Sequence, residues 1–274
     1  MEGNVQKQKI RLTQEKETLL VPLYSKAVEN QRVNPIIVDP KAEEVLEGID
    51  YDFRQLGIPW QTLITLAMRA KKLDSYVRDY LDRTENPLVL HLGAGLDSRV
   101  LRVNPLKGEW YDLDYPEVIE LRKKFYTETN HYHMISSSVT DSAWLDQVNG
   151  SGPACIIAEG LLMYLHEEDV KQLFLALQKR LPASEFSFDA YSRLTVKGAN
   201  NHPSIKKTGA RIYWGIDDAK QVETWGSGIK LLEEWYFTSS ADIASLGYRD
   251  RLLFKTMGMF GAAKKAHRIL HYHL

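Results

Sequence analysis

Two glycines and two aspartates carry most of the chemistry legible in this chain. Residues 88–99 read LVLHLGAGLDSR. An apolar run leads straight into Gly93-Ala94-Gly95 and then into a helix start. Glycine lets the backbone turn tightly and approach a ligand with no Cβ in the way. In an open α/β sheet such a turn stands at the carboxyl end of a strand, where nucleotide ligands bind. A dinucleotide fingerprint requires a third glycine at position 98, and Ser98 stands there instead. Roughly 20 residues after Gly93, the next apolar run ends in Asp112-Leu113-Asp114, where an acidic side chain accepts from both ribose hydroxyls of an adenosine. Alternation along a strand puts these two carboxylates on one face. A ribose clasp without a pyrophosphate turn favours S-adenosylmethionine over NAD.

These residues need strands and helices to hold them. Apolar residues recur at helical spacing from Trp60 to Leu81, until Asn86-Pro87 breaks the pattern. Short apolar runs then alternate with helical stretches. Strands are expected at 88–92, 109–113, 132–136, 154–159 and 185–190. Helices are expected at 97–103, 116–125 and 167–181, the second opened by Pro116 at its first position. The last starts with Glu167, Glu168 and Asp169, which suit the positive end of a helix dipole. Such alternation implies a parallel sheet covered on both faces. Residues 191–228 interrupt it and read as an insertion or lid. Residues 229–236 read as helical, and 267–273 as an edge strand.

Bulk properties remove other classes. The 274 residues suffice for one large domain, or one with a small cap. Lys plus Arg (35) balances Asp plus Glu (36), which leaves no electrostatic footprint for nucleic acid or an anionic membrane. No run is long and apolar enough to span a bilayer, and the first residues are too polar for a secretory signal. The single cysteine, Cys155, excludes an internal disulfide framework and sits in an apolar run, as a core residue would. A reducing cytoplasm is the simplest location.

The segments LHLGAGLDSR, YDLDYPEVIELRK, SVTDSAWL and AEGLLMYL, in that order, resemble the leucine carboxyl methyltransferase family. More narrowly they resemble its bacterial branch of polyketide-type O-methyltransferases, most strongly from Trp60 to Leu181. The resemblance implies a doubly wound, seven-stranded, mostly parallel Rossmann-like sheet with an antiparallel C-terminal edge strand and a helical cap. It implies a helical segment over 1–82, a methyltransferase domain over 83–274, and an acceptor-side insertion over 191–228. On this match Gly93 and Gly95 form the cofactor turn, shaped by Asp97 and Arg99. Asp114 binds ribose, with Asp112 the second choice. Glu159 and Gly160 lie near the methionine half of the cofactor. Arg69, in MRAKKLD, pairs with the methionine carboxylate, a task suited to a bidentate guanidinium. The family's threonine is Ala70 here. Ser138-Val139 replace an Asp-Leu pair that meets adenine in many relatives, which implies a looser adenine pocket.

On this reading the chain is an S-adenosylmethionine-dependent O-methyltransferase acting on a small carboxylate or phenol. Tyr164 is placed to donate to the acceptor, and Arg193, Lys197, Asn200 and His202 could anchor it. A carboxylate is already ionised at neutral pH and needs no base, whereas a phenol does. No base stands within the strong motifs, which favours a carboxylate. Trp214, Trp225 and Trp235 belong either to a lid or to the core. The pairs His131/His133 and His271/His273 lack a third ligand, so no metal is expected. An NAD-dependent oxidoreductase and a non-catalytic cofactor binder are the alternatives.

Overall fold

The computed structural model describes residues 8, 9, 18–105, 107–150, 152–201 and 209–274. Most of residues 1–18, expected from their polarity to be loosely held, and His202 therefore lie outside the described residues. A short parallel pair joins β1 (Gln8–Lys9) to β2 (Ile49–Asp50). Between them run α1 (Leu20–Asn30) and α2 (Pro40–Glu47), the latter capped by the Asp39 carboxylate on the Ala42 N–H. Next comes α3 (Trp60–Arg83), whose apolar stripe includes Ile64, Ala67, Leu73, Val77 and Tyr80.

The main sheet follows: β3 (Leu88–Leu92), β4 (Glu109–Asp114), β5 (Tyr132–Ser136), β6 (Ala154–Ala158), β7 (Glu185–Tyr191), β8 (Lys230–Tyr236) and β9 (His267–His273). Helices α4 (Arg99–Val103), α5 (Pro116–Arg122), α6 (Glu167–Arg180), α7 (Arg193–Ala199), α8 (Tyr248–Met259) and α9 (Gly261–Lys265) fill the connections. The strand order is β5-β4-β3-β6-β7-β9-β8, with β3 to β7 parallel and β9 antiparallel to both neighbours. The chain winds outward from β3 and then restarts on its other side at β6. Ligands bind where winding reverses, at the carboxyl ends of these two strands.

Both faces of the sheet are covered. Val89, Cys155, Ile157 and Ile269 pack with α1, α2 and α3, so the first helices share one core with the sheet. Leu90, Ile156, Phe186 and Phe188 pack with α6 on the other face. Parallel strands buried on both sides read as continuous apolar runs, as ACIIA does.

Two expectations need correction. Residues 229–236 are not helical: they form β8. Their leucines and glutamates are good helix formers, but pairing with β9 decides. A bulge between Leu231 and Glu233 breaks the alternation that would have identified a strand. The C-terminal strand is antiparallel as expected, yet β8 lies outside it and takes the edge.

Candidate functional site

Gly93 follows β3 with φ +63°, and Gly95 has φ +53°. A Cβ on Gly93 would come within 2.9 Å of the Leu161 side chain. The turn thus passes under the loop after β6 only because glycine stands there. Its conformation is fixed from β4: the Ala94 N–H donates to the Leu113 carbonyl at 3.1 Å, and the Gly95 N–H to Asp114 Oδ2 at 2.7 Å. The second Asp114 oxygen accepts from the Tyr115 N–H at 2.7 Å. Burial outweighs these bonds and pushes the Asp114 carboxyl up to about 6.

Asp112 has another task. It is fully buried beneath the turn and is gripped by Arg122, by the Tyr132 hydroxyl at 2.7 Å and by Trp110 Nε1 at 2.8 Å. Burial opposes its ionisation, but Arg122 and these bonds hold it at about 2. Of the two aspartates, only Asp114 reaches the cavity.

That cavity has a volume of about 1390 Å³. It is walled by α1 and the start of α3, by the turn at 93–97, by the loop after β6, and by residues within 191–199 and 209–213. At its charged end Arg69 reaches from α3 between two strands. Its guanidinium meets Glu159 Oε1 at 3.0 Å and Asp189 Oδ2 at 2.8 Å. Asp189 Oδ1 also accepts the Gly160 N–H at 2.6 Å, and Oδ2 bonds His267 Nε2 at 2.8 Å. The other Glu159 oxygen is held by Arg99, so that despite burial Arg69 and Arg99 keep this carboxyl at about 2. Arg99 also binds Asp74 at 2.7 Å and donates to His91 Nε2 at 2.8 Å. A guanidinium only donates, so Nε2 of His91 must be the accepting nitrogen.

Asp97 accepts the Arg99 N–H at 2.6 Å and pairs with Lys26 at 2.8 Å. Against the cost of burial, Arg102, Lys26 and Arg99 hold it well below the usual carboxylate range. Lys26 is 1 % exposed and lines the cavity. Sequence reading missed it, although a lysine on the apolar face of α1 is an available signal. Asp189 and His91, polar residues inside the apolar runs FSFDAY and LVLHL, were missed for the same reason.

Not every expected residue meets the cavity. Tyr164 does. Ser138 and Val139 do not: they follow β5 beside Asp114, with Val139 buried in the core next to Trp144. Tyr115 and Val118 flank Asp114 there instead. Arg193 points outward to Glu167 at 3.6 Å, and Lys197 is exposed and outside the lining. Asn200 is a structural clamp on Ile212. Trp214 and Trp225 pack with Phe188 and Phe174 in the core, and Trp235 lies in β8 against Phe237. His131 and His133 both bond Glu109, while His271 bonds Ser187 and stacks on Tyr76.

This sheet order, with a glycine turn after the central strand and a carboxylate after its neighbour, defines a Rossmann-like methyltransferase. Solved structures agree on the fold. A DUF574 family protein of Streptomyces avermitilis matches with a TM-score of 0.60 at 12 % identity, covering 92 % of this chain and 96 % of its own. A Thermobifida fusca protein assigned to the methyltransferases matches with a TM-score of 0.56 at 14 % identity, covering 92 % and 94 %.

The family model for leucine carboxyl methyltransferase matches residues 20–178, and the chain belongs to that family. It is similar to the tetracenomycin polyketide synthesis O-methyltransferase TcmP of Streptomyces glaucescens, with 36 % identity over 96 % of this chain and 98 % of that protein. It is also similar to the S-adenosyl-L-methionine-dependent methyltransferase dpfgK of Gibberella zeae, with 29 % identity over 89 % of each. The protein is an S-adenosylmethionine-dependent O-methyltransferase, which decides among the readings left open by the sequence. No helix among the described residues is long and apolar enough to cross a membrane.

Proposed function

We propose that the protein methylates a small-molecule carboxylate inside the 1390 Å³ cavity. The fit of the cofactor rests on this chain's own donors and acceptors. Asp114 has the charge and position to accept from ribose, and Tyr115 and Val118 give adenine an apolar wall in place of Ser138 and Val139. Gly93, Gly95 and Gly160 leave room for close approach. Lys26 and Arg69 would hold the methionine carboxylate, with Asp97 and Glu159 respectively keeping them in place. Arg69 spends three of its five N–H groups on Glu159 and Asp189 and keeps two for a ligand. When bound, S-adenosylmethionine supplies an activated methyl group on a sulfonium whose departure leaves a neutral thioether.

The observation that carries the acceptor class is the state of the cavity's titratable groups. His91 is the one imidazole among the described lining residues, and its accepting nitrogen is already used by Arg99. Glu159 and Asp97 are held ionised by cations, and weak bases of that kind do not deprotonate a phenol. Burial and Asp189 push the Tyr191 hydroxyl above its ordinary range, so it keeps its proton. These residues are suited to orienting an acceptor already ionised and to excluding water. Tyr164 is positioned to donate a hydrogen bond to it.

Residues 1–82 and 191–228 serve as the cap and the acceptor-side wall. The lone, buried Cys155 supports a reducing, cytoplasmic setting. The test is a pH–rate profile on an aryl carboxylate that the enzyme accepts. The expected rate shows no tenfold-per-unit rise between about pH 7 and 9, because the acceptor carboxylate and the sulfonium that react both keep their charge. A rate rising about tenfold per pH unit over that range would require deprotonation of the acceptor and overturn the proposal.

A further inference from the structure

Three cationic side chains line the cavity among the described residues: Lys26, Arg69 and Arg211. Two are engaged, Lys26 with Asp97 and Arg69 with Glu159 and Asp189. Arg211 is different. It has no carboxylate partner among the described residues, and its guanidinium lies over the Tyr213 ring, 5.5 Å from the centroid.

The chain takes care to present it. The N–H groups of Tyr213 and Trp214 donate to the Met163 carbonyl at 2.9 and 3.2 Å, which ties this segment to the loop after β6. Between Arg211 and Tyr213, Ile212 is clamped by Asn200: its carbonyl accepts from Nδ2 at 2.7 Å and its N–H donates to Oδ1 at 2.8 Å. The Ile212 side chain is buried against Met163 and Val196. Arg211 and Tyr213 flank this buried anchor, and both line the cavity. Tyr213 is 45 % exposed and is backed by His166, ring centroids 4.3 Å apart. A guanidinium stacked on a tyrosine and backed by a second ring presents a planar fork beside a flat apolar surface. Carboxylates on aromatic frames fit that combination.

We propose that Arg211, braced on Tyr213, is the residue that holds the acceptor's anionic group and selects aryl carboxylates over their neutral analogues. The proposal rests on the reading that the cavity methylates a carboxylate, and names the side chain that recognises it. Nothing in it involves the cofactor end, where Lys26 and Arg69 serve.

The test uses the protein saturated with S-adenosylhomocysteine. Binding of anthracene-2-carboxylate and of its carboxamide is followed by fluorescence in wild type, R211Q and R211K. R211Q is expected to weaken the carboxylate by about tenfold or more and leave the carboxamide unchanged, with R211K intermediate. Because Arg211 is exposed, unchanged melting and unchanged S-adenosylhomocysteine affinity are expected in both variants. Equal losses for both probes, no loss for either, or a wild type that does not prefer the carboxylate would each overturn the assignment. A wild type that fails to bind S-adenosylhomocysteine would instead overturn the functional reading beneath it.

Discussion

Acidification should loosen the cofactor through one proton. Asp114 is half-buried at the cavity wall, and burial pushes its carboxyl up to about 6. It must be ionised to accept from two ribose hydroxyls while keeping the Gly95 and Tyr115 N–H bonds. The groups around it do not titrate with it: Asp112 is held at about 2, and Arg122 above it stays charged. The α-carboxyl and α-amino groups of an amino acid keep their charges between about pH 5 and 6.5. One ionisation therefore sets the slope. At about pH 5 only one molecule in roughly eleven carries the charged form, so affinity falls about tenfold, or about 1.4 kcal/mol, from its value near pH 7. Calorimetric titration with S-adenosylmethionine across this window, in two buffers of different ionisation enthalpy, counts the proton released on binding. Asp114→Asn should bind weakly and with no such slope. A flat wild-type affinity, or an equal slope in the variant, refutes the reasoning. The sign for folding is opposite. A raised carboxyl value means that its contribution is fully present below the unfolded value and is lost as pH rises through about 6. The ligand-free protein should therefore gain roughly 3 kcal/mol at most from this group on acidification, visible in denaturant melts.

Three further outcomes follow from the same geometry. Arg69→Met leaves Glu159 with Arg99 alone and Asp189 with only His267 and the Gly160 N–H, so two buried carboxylates lose a charge partner, and it should destabilise the fold by about 3–5 kcal/mol, measured by urea unfolding. Gly93→Ala puts a Cβ 2.9 Å from Leu161 at a positive φ, which should cost about 1–3 kcal/mol in stability and weaken cofactor binding in calorimetry. Cys155 is buried and its thiol is pushed far above its ordinary value, so iodoacetamide should leave the folded protein unlabelled and react only after denaturation.

How much of this was legible beforehand follows from how local each signal is. The strand, glycine turn and acid lie within short stretches of chain, so the convergence of Gly93, Gly95 and Asp114 on one cavity could be read directly. The parallel strands announced themselves as unbroken apolar runs. The strand at 230–236 did not, because its bulge hides the alternation and its partner lies at 267–273. Lys26 and Arg211 lie far apart in sequence, and only the assembled fold brings them to one cavity, as it brings Asp189 to the Arg69 guanidinium beside it. Asp112 and Asp114 show the limit of spacing: the same strand face serves both, yet Arg122 turns one into a buried ion pair and leaves the other for the ligand. Arg193, Lys197 and Asn200, named from position alone, do not line the cavity: Arg193 points to Glu167, Lys197 is exposed, and Asn200 spends its amide on Ile212.

The wall formed from residues 191–199 and 209–213 has an evolutionary consequence. Among the described residues, its ties to the rest of the molecule include main-chain bonds from Tyr213 and Trp214 to Met163 and an Ile212 side chain seated in a small satellite cluster, while the Asn200 amide braces the wall internally. The cofactor end, by contrast, is cross-braced by charges drawn from α1, α3, α4, β6 and β7. Substitutions in the wall are thereby uncoupled from the scaffold that the rest of the reaction requires. A lineage can exchange acceptors by rewriting about twenty residues between two strands, and grafting that stretch between relatives is the natural unit for redirecting the enzyme.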